Sequence, residues 1–352
     1  MPQDPSATLR SLELLRGATS ADLANLAALM SIDTVESGVR LSREGDMGDK
    51  FWIVIDGVAE VTASTTAGER RLALAGRGAI LGELALLRGR PRSASVRTLE
   101  VCRVASGGPE ALEVLLGIED VRQRIQELAS RRLAEDCRPL RLTLRDGSSV
   151  LLRPLLPSDR ARLAEAARRL SAESLRRRFF SASPPSQKLL DYLVDIDFVE
   201  HFAWVVIDPA SGEGMATARY VRTSMPGEAE VAFATTDDNQ GRGLGTLLLG
   251  AIGVAAAQAR IDRLVAHVLD DNTAMRAVFA KADATTARDE PGIVSVTIET
   301  QKAALLIEPA MRGQLAGAVH DIVTAASVAL IDHPNATATR SDQRTPIEPE
   351  PT

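Results

Sequence analysis

Residues 228–245 read EAEVAFATTDDNQGRGLG, a strand-like stretch that leads directly into a glycine-rich turn. An apolar helix, Leu244 to Ala259, is predicted to begin where the turn ends. Unpaired backbone N–H groups then lie at the positive end of a helix, where anions bind. A dinucleotide-binding fingerprint fails because its third glycine would fall on Thr246, and a P-loop fails because Gly-Lys-Ser/Thr is missing. The stretch therefore predicts a different kind of phosphate site between a strand and a helix.

The sequence around this turn alternates between strand and helix patterns. Strands are predicted at FAWVVID, MATARYVR, EAEVAFATT, LVAHVL and GIVSVTIE, with helices between several of them. This alternation is typical of a mixed α/β domain. We place the domain at residues 141–305, followed by an amphipathic helix at 306–331. Residues 332–352 are polar and contain prolines, so we expect a disordered tail.

The N-terminal part of the chain has a different pattern. Residues 35–104 contain short apolar runs separated by glycine-bearing turns, which is typical of a small all-β unit. Thr19 and Asp22 offer a helix start between two short helices ahead of this unit. Leucines at helical spacing over residues 109–136 predict one long helix after it. We place this first domain at residues 1–140, and the whole chain in the α+β class.

A second phosphate site is predicted inside the β unit, where residues 80–96 read ILGELALLRGRPRSASV. Arg92 supplies a planar fork for a buried cyclic phosphate, and Ser93 supplies a hydroxyl. Glu83 can accept a hydrogen bond from a ribose hydroxyl, while Gly82 lets the backbone approach the sugar closely. The full set of predicted ligand residues is Gly82, Glu83, Leu84, Ala85, Arg92 and Ser93, the two apolar residues contributing their amides.

These residues resemble the phosphate-binding cassette of cyclic nucleotide-binding domains, and Gly45 and Gly57 are similar to the turn positions of that family. The resemblance covers about residues 10–136. It implies a β-roll with a C-terminal helix that repositions over the base when ligand binds. A hydroxyl beside the arginine occurs in both cAMP-binding and cGMP-binding relatives. The Ala-rich and Arg-rich composition favours cAMP as the allosteric ligand.

The glycine-rich turn resembles the acetyl-CoA loop of the GNAT family of N-acetyltransferases, in the order Gln-x-x-Gly-x-Gly. This resemblance covers about residues 148–300 and implies acetyl-CoA as co-substrate. The strand backbone would pair with pantetheine, and the loop would cradle the pyrophosphate. The acetyl-CoA-binding residues implied are Ala232, Phe233, Ala234, Gln240, Gly241, Arg242, Gly243, Leu244, Gly245 and Asn272.

Acetyl transfer to a lysine requires a base, because the amine has an ordinary pKa of about 10.4 and is protonated at neutral pH. Glu230 lies directly before the pantetheine-pairing stretch and is the predicted catalytic residue. Glu228 shares its strand face but lies nearer the preceding turn. Where many relatives have a tyrosine to protonate the thiolate, this chain has Phe279. His201 is a further candidate, although a lone histidine at a strand entry is more often structural.

The two halves together are similar to the cyclic-nucleotide-regulated protein lysine acetyltransferases of mycobacteria and other actinobacteria. That resemblance implies protein lysine substrates, with acyl-CoA synthetases among them, and a cAMP-driven movement of the helix near 109–136. Residues 168–180 could form a movable cover or a fixed wall of the acceptor groove. One alternative is a cyclic nucleotide sensor whose acetyltransferase-like half is an inactive scaffold. Another, a catabolite-activator-like transcription factor, needs a helix-turn-helix where this chain shows a β pattern.

Length and composition agree with this interpretation. The 352 residues suggest two domains, and 41 basic against 47 acidic residues give a net charge of −6, so we expect no nucleic acid partner. Cys102 and Cys137 lack the spacing of a metal site or a disulfide framework, so we expect no metal and a reducing cytoplasm. The most apolar segment, 244–259, is too short and too rich in glycine to span a membrane.

Overall fold

A computed structural model describes residues 5–65, 68–198 and 200–325. In chain order the helices and strands are α1 (Pro5–Arg10), α2 (Ser20–Leu29), β1 (Met30–Val35), β2 (Arg40–Ser42), β3 (Phe51–Asp56), β4 (Ala59–Thr65), β5 (Gly68–Ala75), β6 (Ile80–Leu81), α3 (Glu83–Arg88), β7 (Ser95–Thr98), β8 (Cys102–Gly107), α4 (Pro109–Gly117), α5 (Glu119–Asp136), β9 (Leu140–Thr143), β10 (Ser149–Pro154), α6 (Arg160–Arg168), α7 (Ala172–Phe179), α8 (Gln187–Val194), β11 (His201–Ile207), β12 (Gly214–Arg222), β13 (Glu228–Thr235), α9 (Leu244–Gln258), β14 (Arg263–Leu269), α10 (Thr273–Ala280), β15 (Thr285–Glu290), β16 (Ile293–Glu299), α11 (Thr300–Ala304) and α12 (Pro309–Ala325). The predicted α+β class is confirmed.

The N-terminal unit contains two four-stranded sheets, with strand orders β1-β8-β3-β6 and β2-β7-β4-β5. Val54 and Leu81 of the first sheet and Ala59 and Val96 of the second share one apolar cluster, so the inner faces pack together. The predicted helix start is present, since Thr19 forms a capping box for α2. Residues 80–96 therefore run from β6 in the first sheet to β7 in the second.

The single helix predicted over residues 109–136 is wrong. The chain forms α4 and α5, separated at Ile118, whose φ of −92° and ψ of 111° are extended. α4 ends at Gly117, a residue that weakens a helix, and two acidic side chains then open α5 at its positive end. The apolar stripe continues through the break, so side-chain periodicity alone does not reveal it.

The second unit is built on an eight-stranded sheet, in the order β15-β16-β14-β13-β12-β11-β10-β9. Its neighbours are antiparallel except β13 and β14, which run parallel and pair only from Glu228↔Arg263 to Glu230↔Val265. β13 continues for five residues beyond that last pair, to Thr235. The two strands therefore diverge after Glu230 and open a cleft between them.

Helices cover both faces of this sheet. α9 packs against β11, β12 and β13, where Trp204 donates a hydrogen bond from Nε1 to the carbonyl of Ala251 at 3.0 Å. α6 and α7 contact β12 and β13. On β12 the buried Arg219 donates to the carbonyl of Leu193 in α8 at 3.0 Å. β9, α8 and β15 have no counterpart in the sequence prediction, although α8 buries one face through Leu190, Leu193 and Val194.

The C-terminal helix α12 connects the two units. It packs on both α9 and α5, and Ser130 of α5 donates to the carbonyl of Ile322 at 2.9 Å. Asp321 pairs with Arg88 and Arg90 at the end of α3. The predicted helix at 306–331 thus corresponds to α12, while residues 326–331 and the predicted disordered tail at 332–352 lie outside the described residues. Over the described part of the chain, none of the helices is long and apolar enough to cross a membrane.

Candidate active site and ligand cavity

The cleft between the diverging strands is a cavity of about 690 Å³. Every residue predicted for acetyl transfer and acetyl-CoA binding lines it. They are Glu230, Ala232, Phe233, Ala234, Gln240, Gly241, Arg242, Gly243, Leu244, Gly245 and Asn272. Among the described residues, β13 makes no strand pair with β14 beyond Glu230, so the backbone there is available to an extended ligand.

The glycine-rich loop has the geometry of an anion cradle. Gly241 and Gly243 have φ of 75° and 86°, in the left-handed region that favours glycine. No described residue accepts a hydrogen bond from the backbone N–H groups of residues 241–245. These donors lie at the positive end of the 15-residue helix α9. The loop thus fits a multiply charged group such as a pyrophosphate.

The side chain of Arg242 has a structural role in this arrangement. Its guanidinium donates to Asp146 at 2.8 Å and to Ser148 at 2.6 Å, both in the turn between β9 and β10. Hydrogen bonds from Ser148 and then Arg242 hold the pKa of Asp146 well below its usual range. The predicted contribution of Arg242 to anion binding therefore comes from its backbone, while its side chain fixes the loop.

The two candidate carboxylates, Glu230 and Glu228, have different surroundings in the structure. Glu230 is at the last paired position before the strands diverge, and its side chain is 55% exposed in the cleft. Glu228 does not line the cleft; it accepts a hydrogen bond from Thr223 at 3.0 Å and lies 3.6 Å from Arg263.

Three other predicted residues have clear surroundings. Asn272 caps α10 by accepting a hydrogen bond from the amide of Met275 at 3.1 Å, at the rim of the cleft. Phe279 is buried and lies edge-on to Phe233, with ring centroids 5.8 Å apart. Burial, followed by the charge of Arg219, lowers the pKa of His201 to about 3.

His201 is thus a neutral core residue in this structure. Its Nε2 lies 2.9 Å from a guanidinium nitrogen of Arg219, and its ring stacks on Tyr192 at 5.6 Å. It is only 5% exposed and does not line the cleft. The structural interpretation of this histidine fits better than participation in catalysis.

The segment 168–180 forms one wall of the cleft. α7 lies against β13, and Ser174 accepts a hydrogen bond from the side chain of Gln240 at 3.0 Å. Arg176 pairs with Asp271, in the turn after β14, at 2.5 Å. These contacts tie the segment to the glycine-rich loop and to the turn after β14.

A second cavity, of about 300 Å³, lies inside the β-roll. All the residues predicted to bind the cyclic nucleotide line it, namely Gly82, Glu83, Leu84, Ala85, Arg92 and Ser93. Arg92 is 6% exposed and donates to the carbonyls of Gly82 and Lys50 at 2.7 and 2.6 Å. Its guanidinium also lies over the ring of Trp52, 5.1 Å from the centroid.

Arg92 is a buried cation without a close counter-ion. Within residues 5–65, 68–198 and 200–325, no carboxylate lies at ion-pair distance from it. Burial lowers the pKa of Arg92, and the more distant charges of Asp49, Glu83 and Asp46 oppose that effect. Because an unpaired buried charge is costly, the cavity is suited to an anion that contacts this guanidinium.

Glu83 is engaged differently from the sequence expectation. Its side chain is fully buried, and one oxygen accepts a 2.5 Å hydrogen bond from Arg132 of α5. The other oxygen, Oε2, has no hydrogen-bond partner among the described residues. Arg132 also donates to the carbonyl of Ile80 at 2.9 Å. One oxygen of the predicted ribose acceptor is therefore already bound by α5.

Sequence reasoning missed the cavity residues that come from other elements. Arg132, Glu135 and Asp136 of α5 line the cyclic nucleotide cavity, as do Arg70 and Arg71 of β5. The cleft of the second unit likewise includes residues that were not predicted, among them His267 of β14. Such residues can be assigned to a site only when the neighbouring strands and helices are known. Strand alternation in LVAHVL, combined with the β13–β14 register, could have identified His267.

A splayed sheet with a glycine-rich anion loop defines a GNAT-type acyltransferase, and the roll with its buried arginine defines an attached cyclic nucleotide-binding domain. Comparison with known families agrees. Residues 32–117 match the family described as cyclic nucleotide-binding domain, and residues 149–285 match the family described as acetyltransferase (GNAT) domain. Acetyltransferase Pat of Mycolicibacterium smegmatis is 34% identical over 324 residues, covering 92% of this chain and 97% of that protein.

The chain belongs to the family of GNAT acetyltransferases that carry a cyclic nucleotide-binding domain, and it is therefore an acetyltransferase. Among solved structures, it is similar to a cAMP-binding acyltransferase from Mycobacterium smegmatis, with 32% identity, a TM-score of 0.47 and coverage of 92% of this chain and 98% of that one. The GNAT domain of S. lividans PAT is 34% identical with a TM-score of 0.43, covering 46% of this chain and 96% of that one.

Proposed function

We propose that this acetyltransferase is a cAMP-regulated protein lysine acetyltransferase that uses acetyl-CoA. The observation that carries the proposal is the position of Glu230, at the last β13–β14 pair and inside the cleft that holds the predicted acetyl-CoA residues. A carboxylate there can take a proton from an amine that enters beside the thioester. Glu228, by contrast, is engaged by Thr223 and lies outside the cleft.

The proposed reaction begins with acetyl-CoA in the cleft. The N–H groups of residues 241–245 hold the pyrophosphate, and the free edge of β13 at residues 232–234 pairs with pantetheine. Glu230 removes a proton from the lysine ammonium, and the resulting amine attacks the thioester carbonyl. The C–S bond then breaks and releases the CoA thiolate, which takes up a proton. Phe279 carries no proton to give, so the thiolate leaves without help from that position.

For regulation, we propose that cAMP binds in the roll through its cyclic phosphate. The buried guanidinium of Arg92 lacks a close carboxylate and can supply the countercharge, while Ser93 and the amides of Leu84 and Ala85 can donate further hydrogen bonds. The ribose would compete with Arg132 for Glu83. Loss of that contact would free α5 to move, because a ligand shifts the conformational equilibrium toward the state that it binds more tightly.

We further propose a functional division at residues 1–140 and 141–305. The C-terminal half of α5 contributes Ala129, Leu133 and Ala134 to the core of the second unit, which supports α5 as the link between the two. Free Cys102 and Cys137 are compatible with a cytoplasmic location. Acyl-CoA synthetases, the acceptor proteins implied by the resemblance, are the first substrates to test.

Transfer of radiolabelled acetyl groups to candidate proteins tests the enzyme and its base. We expect the intact chain to label an acceptor, Glu230→Gln to lose most of that activity, and Glu228→Gln to retain it. Full activity of Glu230→Gln would remove Glu230 as the base. If the intact chain labels no acceptor with or without cAMP, the sensor with an inactive scaffold, which Phe279 favours, becomes the better account.

The same assay with cAMP, cGMP or neither tests regulation. We expect cAMP to raise the rate of the intact chain. Arg92→Lys should lose this activation by cAMP, because an ammonium cannot replace the planar guanidinium that contacts two carbonyls and lines the cavity. Equal rates with and without cAMP in the intact chain would contradict the coupling while leaving the acetyltransferase activity intact.

A further inference from the structure

His267 faces Glu230 across the mouth of the acetyl-CoA cleft. It lies on β14 two positions beyond Val265, the last residue of that strand in register with β13. Its Nδ1 is 3.8 Å from Oε1 of Glu230, and its side chain is 51% exposed. Both residues line the cleft. The divergence of the two strands thus places one proton acceptor on each side of the opening.

The proposed reaction has two protons to move for each acetyl group. The lysine nitrogen begins as an ammonium and ends as an amide with one hydrogen, so it loses two protons. One proton ends on the sulfur of CoA, and the other goes to solvent. Glu230 can hold only one proton at a time and must return to the carboxylate form before it can accept another. Phe279 cannot take part, so a second group beside Glu230 would be needed to carry the proton from Glu230 to solvent.

We propose that His267 relays protons between Glu230 and solvent, an inference that rests on the proposed role of Glu230 as base. Glu230 first accepts a proton from the substrate nitrogen. Its O–H bond then breaks as an N–H bond forms at Nδ1 of the neutral imidazole, directly after a small side-chain rotation or through one water. The imidazolium releases a proton from Nε2 to solvent. Because it acts through Glu230, His267 is a positioning residue.

The surroundings of His267 are compatible with this exchange. Besides Glu230 on β13, the charged residues that line the same cleft are Arg145, Asp146, Arg177, Arg178, Arg242 and Lys281. Among them Arg178 of α7 interacts electrostatically with Glu230. On β16 the residue opposite His267 in the register is Ser295, which carries no charge. The relay needs a neutral imidazole, because a ring that carries a proton on both nitrogens cannot accept another from Glu230.

A purely structural contact would behave differently. Ion pairs between half-exposed side chains contribute little to stability, so replacing His267 leaves the fold intact and the variant can be assayed. A matched control is available on the same two strands. Arg263 lies 3.6 Å from Glu228 and is also about half exposed, but that pair lies outside the cleft. Arg263→Gln therefore removes a similar β13–β14 contact without touching the proposed relay.

The test measures kcat, KM and the pH profile of the full chain and its His267→Ala, His267→Gln, Arg263→Gln and Glu230→Gln variants. We expect both His267 variants to lose about tenfold in kcat, less than the loss of a direct acid–base group because Glu230 remains, with unchanged KM for acetyl-CoA. Added imidazole should restore His267→Ala but not Glu230→Gln. The acid limb of the pH profile should change in the His267 variants, whereas Arg263→Gln should match the unmodified chain.

Two outcomes would overturn the relay. One is an unchanged kcat and pH profile in His267→Ala while Glu230→Gln is inactive, which would leave the proposed base in place without the histidine. The other is a loss in His267→Ala that imidazole does not restore and that appears in KM, which would indicate a packing role. Full activity of Glu230→Gln would instead contradict the proposed base, and the relay with it.

Discussion

Replacement of Gly82 by alanine should abolish most cyclic nucleotide binding through one steric contact. Gly82 has a φ of 82° and is the N-cap of α3. A Cβ there would lie closer to the Nη1 atom of Arg92 than van der Waals contact allows, and 3.1 Å from the ring of Trp52. Arg92 is 6% exposed and held by two carbonyls, so it has little room to give way.

The substitution should lower both the stability of the fold and the affinity for cAMP. A left-handed conformation costs an alanine about 1–2 kcal/mol of folding free energy. Displacement of Arg92 removes a hydrogen bond to a charged ligand, worth about 1.5–3 kcal/mol. Since about 1.4 kcal/mol corresponds to a factor of ten, the affinity for cAMP should fall about 10- to 100-fold.

Gly78→Ala is the matched control. Gly78 has a φ of 84°, and an added Cβ would meet nothing within 4 Å. Both variants should therefore lose free energy of unfolding in chemical denaturation, Gly82→Ala more because of its clash with Arg92. Calorimetric titration with cAMP should show weaker binding only for Gly82→Ala. Equal cAMP affinity in the two variants would refute the assignment of Arg92 to the cyclic phosphate.

Three further predictions concern stability and coupling. The pKa of His201 is about 3 in the folded chain against 6.5 in the unfolded chain, so its contribution to stability is present above pH 6.5 and is lost as the pH falls towards 3. In urea unfolding, the free energy of unfolding should therefore fall by about 2 kcal/mol more between pH 7 and pH 5 than it does in His201→Gln. The same pH dependence in both proteins would contradict this. Asp159 is 1% exposed and accepts two hydrogen bonds from Arg153, so Asp159→Asn should cost about 3–5 kcal/mol in the same assay, with no measurable change as the contrary result. Asp321→Asn removes the pairing of α12 with Arg88, so the ratio of acetylation rates with and without cAMP should approach one; an unchanged ratio would show that this contact does not couple the units.

The two anion cradles could be predicted because each is local in the sequence. Arg92 follows Gly82 by ten positions, and the loop 240–245 is continuous, so local motifs and the family resemblance together named residues that line each cavity. Alternation predicted the strand β13, and the preference for Glu230 over Glu228 came from its place beside the pantetheine-pairing stretch and its distance from a turn. The break in the helix over 109–136 could not be predicted, because Ile118 continues the apolar pattern while its backbone is extended.

The sequence by itself determined which residues are candidates to bind phosphate, since backbone geometry at glycines and the fork of an arginine side chain depend on residue type and near neighbours. Only the tertiary structure decided which distant groups meet them: Arg132 reaches Glu83 from α5, and His267 faces Glu230 from a neighbouring strand. These contacts join positions far apart in the chain. Periodicity reports which side of an element is buried, but partner choice depends on strand order and on helix packing between the two units.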